Sequence, residues 1–558
     1  MGNVQDRARV LGLLATLGFA LPVAAQTDPL AEPFGPTFDW RDLLPDRGGD
    51  GSLGYVLSNC GGEWSAGYGL GIRGGGDLNG DGLADLLHNV SEAAASLPVA
   101  WGALMGRVDR PTLVDISVTA ANDGFQLAPQ LLGSQAVAGV GDINGDGFDD
   151  AVGVQEGLLC GAGCYYYSGG TIVFGRDEAA SGPFPTLLPI APARVFAGIT
   201  ASIRPAPIRA DINSDGINDL LFTSIQGVTS LPLVFGRPEH TPFPALASPA
   251  QLISETGGFS ITADRSAFRF GEGGSAGDLN GDGIDDIGIE SFGTSPIQGA
   301  YVIFGRGVAD PFPSSLDVTT AEPSDVVLFQ INDAGWFAGG IGTPGDVNGD
   351  GVDDIAIRAF NAAQNLRLYV VFGRGDAHAD PFPPVVDLDQ LNGDDGFLLQ
   401  SDDGWSIPHA RDLQLGDVNA DQVDDLLLAD SIIYGQQLVR YPAIVLPQDV
   451  PADQMVRFTS SDLLRLAPAG DTNGDGLPDL SATVMGDDCE VAAIIYGRRP
   501  PPPCRPDLDR DGVLTIFDFL VFQNAFDARE PVADYDGDGD FTLFDFLTYQ
   551  NEFDDGCS

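Results

Sequence analysis

A nine-residue acidic pattern, Asp-x-Asn-x-Asp-Gly-x-x-Asp, recurs seven times in this 558-residue chain, and an apolar run follows each copy. The copies span 77–85, 142–150, 211–219, 278–286, 346–354, 417–425 and 471–479, roughly 55–70 residues apart. A period of that size marks a repeat architecture, so whatever one copy does, the fold does seven times. Carboxylate or amide oxygens stand at positions one, three, five and nine, and the position-seven carbonyl adds another. Together they make a compact all-oxygen donor set suited to a hard cation such as Ca²⁺.

The candidate ligands are Asp77, Asn79, Asp81, Leu83 and Asp85 in the first copy, and Asp142, Asn144, Asp146, Phe148 and Asp150 in the second. The third and fourth hold Asp211, Asn213, Asp215, Ile217 and Asp219, then Asp278, Asn280, Asp282, Ile284 and Asp286. The fifth holds Asp346, Asn348, Asp350, Val352 and Asp354. The sixth holds Asp417, Asn419, Asp421, Val423 and Asp425, and the seventh Asp471, Asn473, Asp475, Leu477 and Asp479. Leu83, Phe148, Ile217, Ile284, Val352, Val423 and Leu477 would contribute only a carbonyl.

Position six must turn with φ > 0, which glycine does without steric cost. The sixth copy has Gln422 there and Ala420 two residues earlier, so its site is expected to be the weakest or empty. An EF-hand would place an acid at position twelve and continue as a helix. Here position twelve is His88, Gly153, Phe222, Ile289, Ile357, Leu428 or Ala482, and the following residues are β-branched and alternating, as in 286–290 and 354–358. The loops are therefore expected to join strands. An ordinary Asp/Asn/Gly hairpin turn would explain one copy, but not the same carboxylates held in seven.

Two further landmarks keep the period. An aromatic-Gly pair follows each loop: Ala-Trp-Gly at 100–102, Val-Phe-Gly or Ile-Phe-Gly at 173–175, 234–236, 303–305 and 371–373, and Ile-Tyr-Gly at 433–435 and 495–497. A Gly-aromatic segment precedes most loops, as at 54–57, 124–127, 258–261 and 396–399. Each unit thus holds about four short strands, and radial stacking removes the exposed edges and faces of such sheets. These landmarks resemble the FG-GAP repeats of the integrin α-subunit-type β-propeller over residues 36–499. The resemblance implies an all-β seven-bladed β-propeller and an extracellular recognition platform, with calcium loops clustered on one rim.

The formal net charge is −53, and nine bound Ca²⁺ would offset only 18 of those charges. An acidic surface disfavours nucleic acid and anionic membranes as partners. All 27 basic residues are Arg, which excludes Schiff-base chemistry, P-loop nucleotide binding and a lysine base. Arg7 and Arg9, an apolar run to about Leu21 and Val23-Ala24-Ala25 read as a signal peptide over 1–25, followed by a linker at 26–35. No segment is long enough for a membrane span, so a secreted, extracellular or surface-associated protein is expected. Six cysteines in an exported chain suggest disulfides. The expected pairs are Cys160–Cys164, Cys504–Cys557 and a ring-locking Cys60–Cys489.

A proline run at 500–503 separates a C-terminal module, 504–558. Its two loops use positions 1, 3, 5, 9 and 12: Asp507, Asp509, Asp511, Thr515 and Asp518, then Asp534, Asp536, Asp538, Thr542 and Asp545. Val513 and Asp540 occupy position seven, and helix-like segments follow at 517–526 and 544–553. This EF-hand-pair pattern resembles a dockerin domain, a small α-helical calcium-stabilised plug whose partner is a cohesin. Positions ten and eleven are Ile516-Phe517 and Leu543-Phe544 rather than polar residues, which weighs against cohesin binding.

No catalytic signature emerges. His88, His240, His378 and His409 are scattered, and neither Gly-x-Ser-x-Gly nor His-Glu-x-x-His occurs. The expectation is a non-enzymatic, secreted calcium-binding adhesion or scaffold protein that recognises an extracellular protein or glycan. The alternative is a calcium-dependent extracellular carbohydrate-active enzyme with a propeller catalytic domain.

Overall fold

The computed structural model of the chain describes residues 34, 37–59, 71–90, 100–116, 123–127, 135–160, 164–185, 187–188, 194–199, 203–205, 208–224, 229–238, 246–247, 249–263, 269–292, 299–333, 335–342, 344–361, 363, 365–375, 381–400, 414–437, 441–451, 454–459, 463–484, 490–498, 506, 516–529, 533, 535 and 542–555. The expected signal peptide at 1–25 and most of both C-terminal loops lie outside these residues.

Seven five-stranded sheets form a seven-bladed β-propeller. In the blade carrying the fourth loop, the strands are Arg269–Gly277, Asp286–Phe292, Gly299–Ile303 and Val326–Gln330, all antiparallel. The acidic loop joins the first two, so strands do follow the loops and the EF-hand geometry is absent from them. Sequence alternation is blurred because neighbouring blades cover both faces of each sheet. Gly299–Ile303, for example, is buried at every position.

The fifth strand of each blade comes from the next unit, and it pairs in parallel. Val385–Asp387 lies between the third and fourth strands of the fifth blade, yet it pairs with Val326–Gln330 of the fourth. Each blade is thus hydrogen-bonded to a segment of its successor.

Closure corrects one expectation. Gly54–Asn59 does not belong to the blade of the first loop. It pairs with Glu490–Ile495 and supplies the fourth strand of the seventh blade, while Thr37–Phe38 supplies the fifth strand of the sixth. Residues from both ends of the propeller sequence therefore close the ring. Asn59 pairs with Glu490, but Cys60 and Cys489 themselves lie outside the described residues, as do Cys504 and Cys557. Cys160 and Cys164 are opposed in the ladder of 150–160 with 164–173.

The apolar cores lie between blades. One joins Leu221, Leu231 and Phe259 of the third blade to Phe270, Ile287 and Tyr301 of the fourth. A motif unnoticed in the sequence supports these joints. Phe184, Phe312 and Phe382, each between two prolines, pack on Phe125, Phe259 and Phe329 of the preceding blade at 4.8, 4.4 and 5.8 Å. The Arg after the aromatic-Gly pair lies over the same ring: Arg176 on Phe184 at 4.1 Å, Arg306 on Phe312 at 5.2 Å and Arg374 on Phe382 at 4.7 Å.

Separately, helices Ile516–Ala528 and Leu543–Asp555 form near the expected positions. Phe522, Tyr535 and Tyr549 make a small buried core, in which Phe522 and Tyr549 stack at 4.1 Å.

Candidate metal centres on the loop rim

All seven loops share one hydrogen-bond scaffold. The position-one carboxylate accepts the position-six N–H at 2.6–2.9 Å in every copy, including Gln422. The position-five carboxylate accepts the position-seven N–H in every copy, from Leu83 to Leu477, at 2.8–3.0 Å. These contacts require φ > 0 at position six, from Gly82 (φ 86°) to Gly476 (φ 83°), and also at position four. Ala420 (φ 59°) and Gln422 (φ 71°) adopt the same turn. The sixth loop is therefore strained rather than broken. Ser214 (φ 55°) carries the same strain in the third.

Position nine does more than the sequence indicated. Asp85, Asp150, Asp219, Asp286, Asp354, Asp425 and Asp479 are all 0% exposed. One oxygen of each accepts the position-two N–H, as Asp286 does from Leu279 at 3.0 Å. The other accepts a glycine N–H after the third strand, as Asp286 does from Gly305 at 2.7 Å. That glycine belongs to the aromatic-Gly pair in six blades. In the first blade it is Gly106, bound by Asp85 at 2.8 Å. The true landmark there is Met105-Gly106, because Trp101-Gly102 lie within the strand Ala100–Leu104. Burial pushes these seven carboxyls up, and the position-one and position-five charges reinforce the shift at Asp85, Asp150, Asp219, Asp286, Asp354 and Asp425. Asp479 is raised to about 7, mainly by burial.

Position eight was missed altogether. Asp149 accepts the Asp77 N–H at 2.9 Å, Asn218 that of Asp142 at 3.1 Å and Asp285 that of Asp211 at 2.8 Å. Asp353 and Asp424 do the same for Asp278 and Asp346. Each bond runs from one blade to the first residue of the preceding loop, so the rim is stapled blade to blade. Ala84 and Pro478 occupy the remaining two positions, and neither side chain can accept a hydrogen bond. Both unstapled joints flank the closing seventh blade. Asp/Asn enrichment one residue before the position-nine acid was the available signal.

The donor set fits a hard divalent cation. It is all oxygen, it concentrates three carboxylates, and two of its members are orphaned acceptors. The Oδ1 atoms of Asn144 and Asn213 are buried without a hydrogen-bond partner among the described residues, at the position-three ligand site. In the other five loops that oxygen accepts the position-five N–H at 2.8–3.1 Å. No group of three or more acidic, His or Cys side chains stands in coordinating geometry among the described residues, and the loops' own N–H groups engage the carboxylates.

In the C-terminal module, Asp518 and Asp545 are 0% exposed. Asp545 accepts N–H groups from Tyr535 and Thr542, both at 2.7 Å, which ties its helix start to the preceding loop. Asp507, Asp509, Asp511, Val513, Thr515, Asp534, Asp536, Asp538 and Asp540 lie outside the described residues.

No protein-family model matches the chain, and no curated protein matches it. Among solved structures it is similar to a mannose phosphorylase from Leishmania mexicana, determined in complex with phosphate ion. That match has a TM-score of 0.25 and 10% identity, and covers 59% of this chain and 92% of that one. That neighbour is an enzyme, and the expectation that this chain is not one is withdrawn.

Proposed function

We propose that the chain is an exported calcium-binding recognition protein of the FG-GAP propeller type, with a dockerin-like calcium module at its C-terminus. Its propeller contacts an extracellular protein or glycan. The orphaned Asn144 and Asn213 oxygens support this reading most directly, each standing where a seven-times-repeated oxygen cage needs a ligand. Calcium bound there would draw each loop's carboxylates together and stabilise the folded state by mass action. Two ions in the C-terminal loops would do the same for a module with little core.

Metal analysis and thermal unfolding with and without EDTA test the proposal. The expected result is several bound Ca²⁺ per chain and a markedly lower midpoint after their removal, with the C-terminal helices melting first. A metal-free protein as purified, or an unchanged transition after verified metal loss, overturns it. The alternative, a calcium-dependent carbohydrate-active enzyme, draws on one observation, a cavity on the propeller axis. Incubation with polysaccharides separates the two, since only the enzyme releases new reducing ends or unsaturated products.

A further inference from the structure

Neighbouring loops on the rim are joined through their candidate ligands, and the second and third loops show every link. Position seven of the third loop, Ile217, packs over position four of the second: a Cβ on Gly145 would stand 3.0 Å from Ile217 Cδ1. Position eight, Asn218, holds Asp142 from both sides. Its Oδ1 accepts the Asp142 N–H at 3.1 Å, and its own N–H donates to the Asp142 carbonyl at 2.9 Å. Position nine, Asp219, accepts the Gly236 N–H at 2.8 Å, and the next residue, Arg237, donates to the Ile143 carbonyl at 3.1 Å.

The links recur around the rim. Asp149 and Asp424 hold Asp77 and Asp346 in the same two-sided way. The bond made by Arg237 has equivalents at five other joints, such as that from Arg374 to the Leu279 carbonyl at 2.8 Å. Ala84 keeps the main-chain bond, to the Asp471 carbonyl at 2.8 Å, but lacks the staple. Pro478 breaks the pattern. At position eight of the seventh loop it has neither an N–H nor an accepting side chain, so it holds Asp417 of the sixth loop on neither side.

The best-linked pair is also the pair with orphaned ligand oxygens. Asn144 is 8% exposed, and its Oδ1, like that of Asn213, has no hydrogen-bond partner among the described residues. Occupancy of the third loop would hold Ile217 in place, and with it Asn218 and Asp219. Asp142 then meets a fixed partner, and the second loop has less freedom left to lose when it fills.

We propose that the calcium sites of loops one to six are coupled through their position-eight residues, so that filling one raises the affinity of the next, and that the coupling stops at Pro478. The proposal deepens the calcium reading by assigning its regulation, and so rests on it. Coupling of this kind is reciprocal and amounts to about fivefold or more in affinity.

The test is hydrogen–deuterium exchange of the full-length, calcium-stripped protein along a Ca²⁺ titration, which reads each loop from its own peptides. Asp215→Ala disables the third loop, and protection of the second loop should then need about fivefold more calcium or higher. Asn218→Ala deletes the staple without changing charge. In that background, adding Asp215→Ala should move the second loop by no more than about half as much, and Asn218→Asp should restore the full shift. Asp475→Ala, which disables the seventh loop, should leave the sixth unmoved. Thermal melts at saturating calcium establish that the variants are folded. A second loop indifferent to Asp215→Ala, an equal shift with and without the Asn218 side chain, or an equal shift of the sixth loop in Asp475→Ala overturns the proposal. Calcium uptake with unlinked midpoints sinks this inference alone. A rim that takes up no calcium sinks the loop reading with it.

Discussion

His88 offers a test of what burial does to a titratable ring in the first blade. It follows the first loop in the strand Asp85–Val90, paired with Ile72 on one side and Gly102 on the other. It is 1% exposed, and neither ring nitrogen has a hydrogen-bond partner among the described residues. Burial alone pushes its pKa from 6.5 down to about 4. The unfolded chain therefore binds a proton more readily than the folded one. The neutral ring's contribution is fully present above about pH 6.5 and is lost as pH falls toward 4. At pH 4.5 that loss comes to about 2.5 kcal/mol. His88→Leu removes this titration and two unsatisfied nitrogens, whose burial costs about 1–3 kcal/mol each. The variant should match or exceed wild-type stability at pH 7, and its advantage should widen by about 2.5 kcal/mol at pH 4.5. Denaturant unfolding of both proteins across that range is the measurement. The acids of the rim titrate in both proteins and cancel in the difference. Parallel profiles from pH 7 to 4.5 would refute the reasoning.

Three further outcomes follow from the rim. Asp353→Ala deletes the staple to Asp278 and should cost about 1–3 kcal/mol; Asp353→Asn should restore most of it, since Asn218 makes the equivalent bond. Exchange of the Asp278 amide, slow in wild type and fast only in the alanine variant, checks both. Ala84→Asp should add the missing staple to the Asp471 N–H and stabilise the closing joint by about 1 kcal/mol; an unchanged or lower midpoint argues against the staple. Gln422→Gly relieves a left-handed turn at φ 71° that costs a side-chain-bearing residue about 1–2 kcal/mol. Part of that gain is lost to the freer unfolded chain, so a net rise of up to about 1 kcal/mol is expected, together with tighter Ca²⁺ uptake in a titration. A destabilised variant would mean that the sixth loop does not need that turn.

The loops were legible because their chemistry is local. Five oxygens within nine residues need no tertiary partner to be recognised, and the strands after them showed in the β-branched runs at 287–289 and 355–357. The position-eight staples and the Arg–Phe–Phe stacks were not, since each joins residues of two blades that the sequence sets far apart. Asp353 and Asp278 are 75 residues apart, and neither identity announces the other. The first-blade landmark was misread for a related reason. Trp101-Gly102 imitates an aromatic-Gly pair, and only the reach of the buried Asp85 carboxylate shows that Gly106 fills the role.

The amino-acid order alone determined the number of blades and the positions of the acidic turns, because both are written as a period and a short-range pattern. Only the tertiary structure decided that Gly54–Asn59 completes the last blade rather than starting the first. Likewise, only there does one carboxylate per repeat turn inward as a clamp and, in five of the seven, the preceding Asp or Asn sideways as a staple. Ring closure and the axial cavity arise from pairing across the whole chain, and no local stretch of sequence holds the free energy that selects them.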